Sequence, residues 1–322
     1  MLAIQISRTG APEVLEPITL DAPTAGPGRV LIRHAAIGVN FIDTYLRSGL
    51  YALPLPAILG QEAAGVVEAI GDGVTRFRVG DRVAYSASGG GYAQYAAVPE
   101  DRTVALPDGI AFDVAAASLL KGMTAEFLLR RCYPVKAGET ILVQAAAGGV
   151  GVILTQWAKL LGATVIGTVG SEEKAALARA NGCDHVILYR HEDVAARVRE
   201  LTNGQGVQVA YDSVGKDTFE GTLASLARRG WFITFGNASG PVPPVAPLRL
   251  MQGGSLVLTR PSLADYVRTA AELDDSAGQL FDLIGAGKLK VEIGQRFPLA
   301  EARAAHEALE GRATIGSTIL IP

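Results

Sequence analysis

The chain has 322 residues, 49% of them hydrophobic and 19% charged, with a formal net charge of -3. That balance excludes a disordered polyelectrolyte and offers no basic field to nucleic acid, and the length suits two domains. No apolar run reaches the ~18 residues of a membrane span, and two cysteines without pair spacing, Cys132 and Cys183, fit free thiols in a cytoplasmic, reducing setting.

Residues 1–6 read as a strand rather than a charged leader. Residues 30–39, 65–71, 79–85 and 92–98 are short β-rich runs between Gly/Pro turns, which predicts a compact, barrel-like β domain. Near Phe112 the pattern changes, and residues 115–131, rich in Ala and Leu, predict a helix. From there strands at 139–144, 164–169, 186–188, 207–211 and 230–235 alternate with helices at 150–161, 172–180, 194–201 and 218–227. Such alternation indicates a parallel sheet with helices on both faces. A strand at 255–259 closes that region. Helices from 265 and around 280, a strand near 290–292 and a helix at 299–310 follow. The final β run, 317–321, is expected to rejoin the first domain and make it discontinuous.

The run Ile141-Leu142-Val143-Gln144-Ala145-Ala146-Ala147-Gly148-Gly149-Val150-Gly151 carries a strand into a helix through a turn of small residues. Ala146, Gly148 and Gly151 occupy the three slots of a dinucleotide fingerprint. Small residues let the backbone approach a pyrophosphate, and the helix N-terminus offers unpaired N–H groups and a partial positive charge. The context, strand–turn–helix followed by further β-α units, separates this from a merely tight turn. A carboxylate for the ribose hydroxyls belongs about 20 residues on, at the tip of the second strand. That tip reads Thr168-Val169-Gly170-Ser171 and carries none. Ser171 can hydrogen-bond a 2′-phosphate, and Lys174 and Arg190 can neutralise it, which points to NADPH. Lys174 would otherwise be an ordinary solvated helix-face lysine. The four histidines, His34, His185, His191 and His306, show no ligand spacing, so no metal is expected.

Gly60-Gln61-Glu62-Ala63-Ala64-Gly65-Val66-Val67-Glu68, continued by Gly80-Asp81-Arg82-Val83, resembles the signature of medium-chain dehydrogenase/reductases. Zinc alcohol dehydrogenases of that family place a His where Gln61 stands and a Cys where Asn40 stands, and carry a cysteine-rich lobe that is absent here. Residues 40–51, 121–124, 145–151, 211–215, 235–240 and 259–262 resemble the zinc-independent NADPH:quinone reductases, the group that includes zeta-crystallin.

The resemblance spans essentially the whole chain. It implies an α/β fold with a Rossmann NADPH-binding domain, 121–261, and a discontinuous β-rich, GroES-like catalytic domain, 1–120 and 262–322. It implies a homodimer joined through the edge strand 255–259. Asn40 and Thr124 should lie near the nicotinamide, and Gly149 and Val150 over the pyrophosphate. Gly170, Ser171, Lys174 and Tyr189 should hold the 2′-phosphate. Ser213, Phe235, Asn237 and Ser239 should flank the nicotinamide ribose or ring, and Ser262 and Arg312 should close an interdomain cleft. Arg312 would otherwise be a surface arginine.

Hydride delivery from a cofactor needs mainly binding and orientation, and no nucleophile–base pair is visible. Tyr45 and Tyr51 are the candidates to line an apolar cleft and hydrogen-bond a quinone oxygen, or else they are two aromatics packed near a turn. Reduction of quinones by NADPH is thus the expected activity. An enone or alkene reductase on the same scaffold stays open, as does an NADPH-sensing or RNA-binding protein.

Overall fold

In the computed structural model, which describes residues 1–86 and 89–322, the chain divides into two compact units. One comprises Met1–Met123 with Val267–Pro322, the other Thr124–Tyr266.

The strand Arg29–Val39 is the hub of the first unit. Seven strands form its main sheet, in the order Ile293–Pro298, Ser317–Ile321, Arg29–Val39, Glu62–Ile70, Arg82–Ser86 and Thr103–Ala105, with Tyr95–Pro99 also pairing to Arg29–Val39. The run Ser317–Ile321 pairs antiparallel with Arg29–Val39 and parallel with Ile293–Pro298. A smaller sheet joins Leu2–Ile6 to Glu16–Thr19 and Ala57–Ile58. Their inward residues, among them Ile4, Ile32, Ile37, Val83, Tyr92 and Leu320, share one apolar core.

The second unit is a parallel sheet of six strands, ordered His185–Leu188, Thr164–Val169, Thr140–Val143, Val207–Asp212, Leu226–Thr234 and Val257–Thr259. Chain order runs outward on both sides of Thr140–Val143, so the direction of winding reverses between that strand and Val207–Asp212. Such a reversal opens a crevice at the carboxyl ends of the strands. Leu142, Ile166, Phe219, Leu223 and Phe232 build the core beside them, with the Phe219 and Phe232 rings stacked at 5.5 Å.

Several boundaries differ from the sequence reading for local reasons. Val79 and Gly80 lie in a turn closed by Asp81 N–H on the Arg78 carbonyl at 3.1 Å, so that strand begins at Arg82. The helix expected over 115–131 is Phe112–Phe127, and its last turn widens over Leu128–Cys132. The helix Phe219–Ser225 stops where the strand Leu226–Thr234 starts at once. Ser255 turns through a left-handed φ of 59°, leaving only Val257–Thr259 in the sheet.

A helix that the sequence reading passed over, Phe41–Ser48, begins at Asn40 and ends at Gly49, whose φ is 84°. Its signal was present: Asn40 backbone N–H donates to Asp43 Oδ2 at 2.9 Å, the reach-back expected of an acid three residues past a cap.

This helix enters a buried polar chain. Tyr92 donates to Asp43 at 3.1 Å, and His306 Nε2 lies 2.9 Å from the Tyr92 hydroxyl. Arg47, only 2% exposed, donates to His306 Nδ1 at 3.0 Å and to both oxygens of Glu310 at 2.6 and 2.9 Å. Because Arg47 can only donate, His306 must carry its proton on Nε2. Burial, with the Arg47 charge beside it, pulls His306 down to about 3. Burial likewise pulls His34 down to about 4 and pushes Asp43 up to about 7.

The histidine contributions to stability are complete above their ordinary value of 6.5 and are lost as pH falls toward 4 and 3. The Asp43 contribution has the opposite sense: complete below 3.8, it is lost as pH rises through 7. Between pH 6 and 5, unfolding therefore takes up two protons at the histidines and releases one at Asp43. Wild type should lose about 1.4 kcal/mol of unfolding free energy per pH unit there, and Asp43→Asn, which imitates the protonated acid, about twice that. Urea titrations across that window check this. Equal slopes in the two proteins would mean that Asp43 is ionised in the fold.

Candidate functional site

The fingerprint turn follows directly from the strand Thr140–Val143. Gly148 caps the helix Gly149–Leu160, and Ala145 takes a left-handed φ of 55°. A Cβ on Gly151 would stand 2.3 Å from the Ala145 carbonyl oxygen and 2.8 Å from Ala146 Cα, so only glycine lets helix and strand come this close. Gly149 and Val150 are thus the first two residues of the helix, both partly exposed. The opening N–H groups of a helix have no partner within it and are what a pyrophosphate can use.

The second-strand tip gathers the other predicted residues. Ser171 caps the helix Glu172–Ala180, its hydroxyl accepting from Lys174 N–H at 3.4 Å. A Cβ on Gly170 would lie 2.6 Å from the Tyr189 hydroxyl and 3.4 Å from Arg190 Nε. Gly170, Ser171, Lys174, Tyr189 and Arg190 therefore meet at one corner, where the bare Gly170 backbone leaves a cradle. Its polar groups are the Ser171 and Tyr189 hydroxyls and the Arg190 guanidinium, with Lys174 joined through its backbone N–H, a set that fits a phosphate monoester rather than ribose hydroxyls alone. Tyr189 is 37% exposed, and Ser171 and Arg190 are exposed as well.

At the tip of Val207–Asp212 the loop from Ser213 runs beside the loop from Phe235. Phe235 N–H donates to the Asp212 carbonyl at 2.8 Å, and Ala238 N–H to the Ser213 carbonyl at 3.3 Å. The Ser239 hydroxyl donates to the Val214 carbonyl and accepts from Asp217 N–H, both at 2.9 Å, so it ties the two loops together. Ser213, Phe235 and Asn237 are partly exposed on these loops. Thr124 is buried in the helix Phe112–Phe127, and Ser262 is exposed ahead of the short helix Leu263–Tyr266.

The first unit holds Asn40, Tyr45, Tyr51 and Arg312. Tyr45 is 7% exposed, and its ring meets Tyr51 edge-on at 5.4 Å. Tyr51 also packs on the apolar core, so both tyrosines have a packing role whatever else they do. Arg312 is exposed and holds a left-handed φ of 58°.

Asn40 is buried and donates through Nδ2 to Glu62 Oε2 at 2.9 Å. Glu62, fully buried, also accepts from Leu120 N–H at 2.7 Å and from the Lys121 ammonium at 3.2 Å. That bond uses one of the two amide hydrogens of Asn40, whose side chain also takes part in the capping box with Asp43. The sequence reading quoted Glu62 and Lys121 within motifs but gave them no role. The available signal was a carboxylate followed at once by Ala63, Ala64, Gly65, Val66 and Val67, which can be buried only if it is paired. Among the described residues, no group of three or more His, Cys, Asp or Glu side chains converges as metal ligands.

Two family models match. Residues 26–108 match the alcohol dehydrogenase GroES-like domain, and residues 149–281 the zinc-binding dehydrogenase model. Over the full length, the chain is 54% identical to a quinone oxidoreductase of Pseudomonas aeruginosa, covering 99% of each chain. It is 45% identical to a 2-haloacrylate reductase of a Burkholderia species, covering 100% of this chain and 99% of that one. The structure of Escherichia coli quinone oxidoreductase complexed with NADPH superposes with a TM-score of 0.98 at 48% identity, covering 100% of both chains. With Gln61 and Asn40 in place of metal ligands, a phosphate-suited corner at Gly170 and full-length identity of this order, the chain belongs to the medium-chain dehydrogenase/reductase family, within its zinc-independent quinone oxidoreductase group.

Proposed function

We propose that this chain reduces quinones with NADPH, without a metal. The observation that carries the cofactor choice is the corner at Gly170, where the hydroxyls of Ser171 and Tyr189 and the guanidinium of Arg190 gather, with Lys174 one helical turn on, where an NAD enzyme would place a carboxylate. The quinone follows from the named activity of relatives matched end to end.

In this reading Gly149 and Val150 receive the pyrophosphate on the helix N-terminus. Gly170, Ser171, Lys174 and Tyr189 hold the 2′-phosphate, and Ser213, Phe235, Asn237 and Ser239 flank the nicotinamide ribose, with Thr124 and Ser262 beside them. Asn40 lies near the nicotinamide, Tyr45 and Tyr51 serve the substrate side, and Arg312 closes the cleft with Ser262. Residues 121–261 form the cofactor domain, and 1–120 with 262–322 the substrate domain. When bound, NADPH supplies the hydride. The protein's own share is to bind, orient and exclude water. Glu62, itself paired with Lys121, holds the Asn40 amide in place through its Nδ2. The two free thiols suit a cytoplasmic protein, and no helix is long and apolar enough to cross a membrane among the described residues. Homodimerisation through the edge strand Val257–Thr259 completes the proposal. Activated alkenes are the second substrate class to test, given the 2-haloacrylate reductase.

Cofactor oxidation should be fast with NADPH and a quinone, slow with NADH, and unchanged by a chelator. A rate that a chelator abolishes would refute the metal-free reading, and faster turnover of enones than of quinones would reassign the substrate. Removing one charged phosphate partner costs about 1.5–3 kcal/mol, so Lys174→Ala should raise the KM for NADPH by roughly ten- to a hundredfold and leave that for NADH unchanged. Tyr51→Phe keeps the ring packing, so a fall in quinone turnover would place its hydroxyl on the substrate. Unaltered kcat and KM would leave Tyr51 with packing alone.

A further inference from the structure

Beneath the fingerprint turn runs a buried polar chain that the cofactor contacts above do not use. Ala145 N–H points at Thr168 Oγ1, 3.4 Å away. The Thr168 hydroxyl donates to Gln144 Oε1, and Gln144 Nε2 donates to Thr222 Oγ1 at 2.9 Å. The Thr222 hydroxyl donates in turn to Asp212 Oδ2 at 3.0 Å. Thr168, Gln144, Thr222 and Asp212 are all at most 3% exposed.

Every link points the same way, so each donor is polarised by the next and the chain ends on a carboxylate. Asp212 has no ion-pair partner among the described residues. Its Oδ2 also accepts from the Thr218 hydroxyl at 2.7 Å, and its Oδ1 from Val214 and Gly215 N–H at 2.7 and 3.0 Å. One buried charge is thus shared between the turn that opens the first helix of the unit and the loop that leaves the fourth strand. These are the two sides of the winding reversal: Gln144 N–H donates to the Tyr211 carbonyl at 3.0 Å, directly across it.

Resting on the NADPH reading, we propose that Asp212, acting through Thr222 and Gln144, is a positioning residue for the cofactor. It sets the spacing between the pyrophosphate turn and the loops at Ser213 and Phe235, so that the two ends of NADPH meet surfaces held in register. The adenosine corner at Gly170 and Tyr189 lies on other strands and does not depend on that spacing beyond Thr168.

The test compares NADPH, which needs both ends, with adenosine 2′,5′-bisphosphate, which needs one. Thr222→Val keeps the shape and removes the hydroxyl, leaving Gln144 and Asp212 each short of a buried partner. It should raise the Kd for NADPH by roughly tenfold while changing that for the bisphosphate by less than about twofold, and Thr222→Ser should restore wild-type binding of both. Gln144→Met breaks the chain at a second link and should give the same selective loss if Thr222→Val does not fold. Equal weakening of both ligands, or no weakening of either, overturns the proposal. Wild type that binds neither ligand would instead sink the NADPH reading on which it stands.

Discussion

The helix Gly149–Leu160 comes so close to the end of its strand that a single methyl group on Gly151 would overlap the Ala145 carbonyl. That proximity is the constraint from which the cofactor unit is built. It forces the chain to reverse within a few residues and puts Ala145 into a left-handed conformation that alanine adopts only at a cost of order 1 kcal/mol. A strained turn holds its shape only if its surroundings over-determine it. Here Thr168 lies beneath it, its hydroxyl 3.4 Å from Ala145 N–H and its carbonyl accepting from Ala146 N–H at 3.1 Å, beside the buried Ala146 and Ala147. A fingerprint turn is therefore more than its glycines: it includes the polar side chains that keep the neighbouring strand ends at fixed distances.

The two units handle buried charge in different ways. Glu62 is held by a cation, an amide and a backbone N–H, and that pairing leaves Asn40 with a fixed orientation. Asp212 is held by four neutral donors. Ion pairs deep in a protein seldom add net stability, because desolvation offsets attraction, but removing one partner is expensive. Both arrangements therefore make local geometry hard to change, which suits residues that must present atoms in set directions. The Asp43–Tyr92–His306–Arg47 chain extends the same principle, joining the helix Phe41–Ser48 to the helix Ala302–Glu310.

Much of this was legible in the sequence because it is local. The strand–turn–helix at 141–151, the missing acid at Ser171 and the β-α alternation all lie within short windows, where period and residue type report directly on backbone geometry. Gly49 and Asp43 marked the helix Phe41–Ser48 equally well, but its eight residues are too few for periodicity to stand out. What could not be read was partnership at long range. Gln144 meets Thr222 across 78 residues, and Arg47 meets Glu310 across 263. No spacing rule links such pairs, since the sheet order alone decides who becomes a neighbour. Glu62 shows the limit from the other side. It shares its strand with Glu68, which is exposed, and only the fold shows that Glu62 is the buried acid and names Asn40 and Lys121 as its partners.

The strand Ser317–Ile321 lies between Arg29–Val39 and Ile293–Pro298 in the first unit's sheet. During synthesis the residues of the second unit emerge in one uninterrupted stretch and can collapse on their own. The first unit cannot close. From the moment Arg29–Val39 leaves the ribosome until Ser317–Ile321 follows, the Ile37–Val39 end of that strand lacks one of its partners and exposes unpaired N–H and C=O groups, the kind of edge along which chains pair with one another. A discontinuous domain thus leaves this edge open while the whole second unit is made, and places its safeguard in five residues about 280 positions along the chain from the strand they cover.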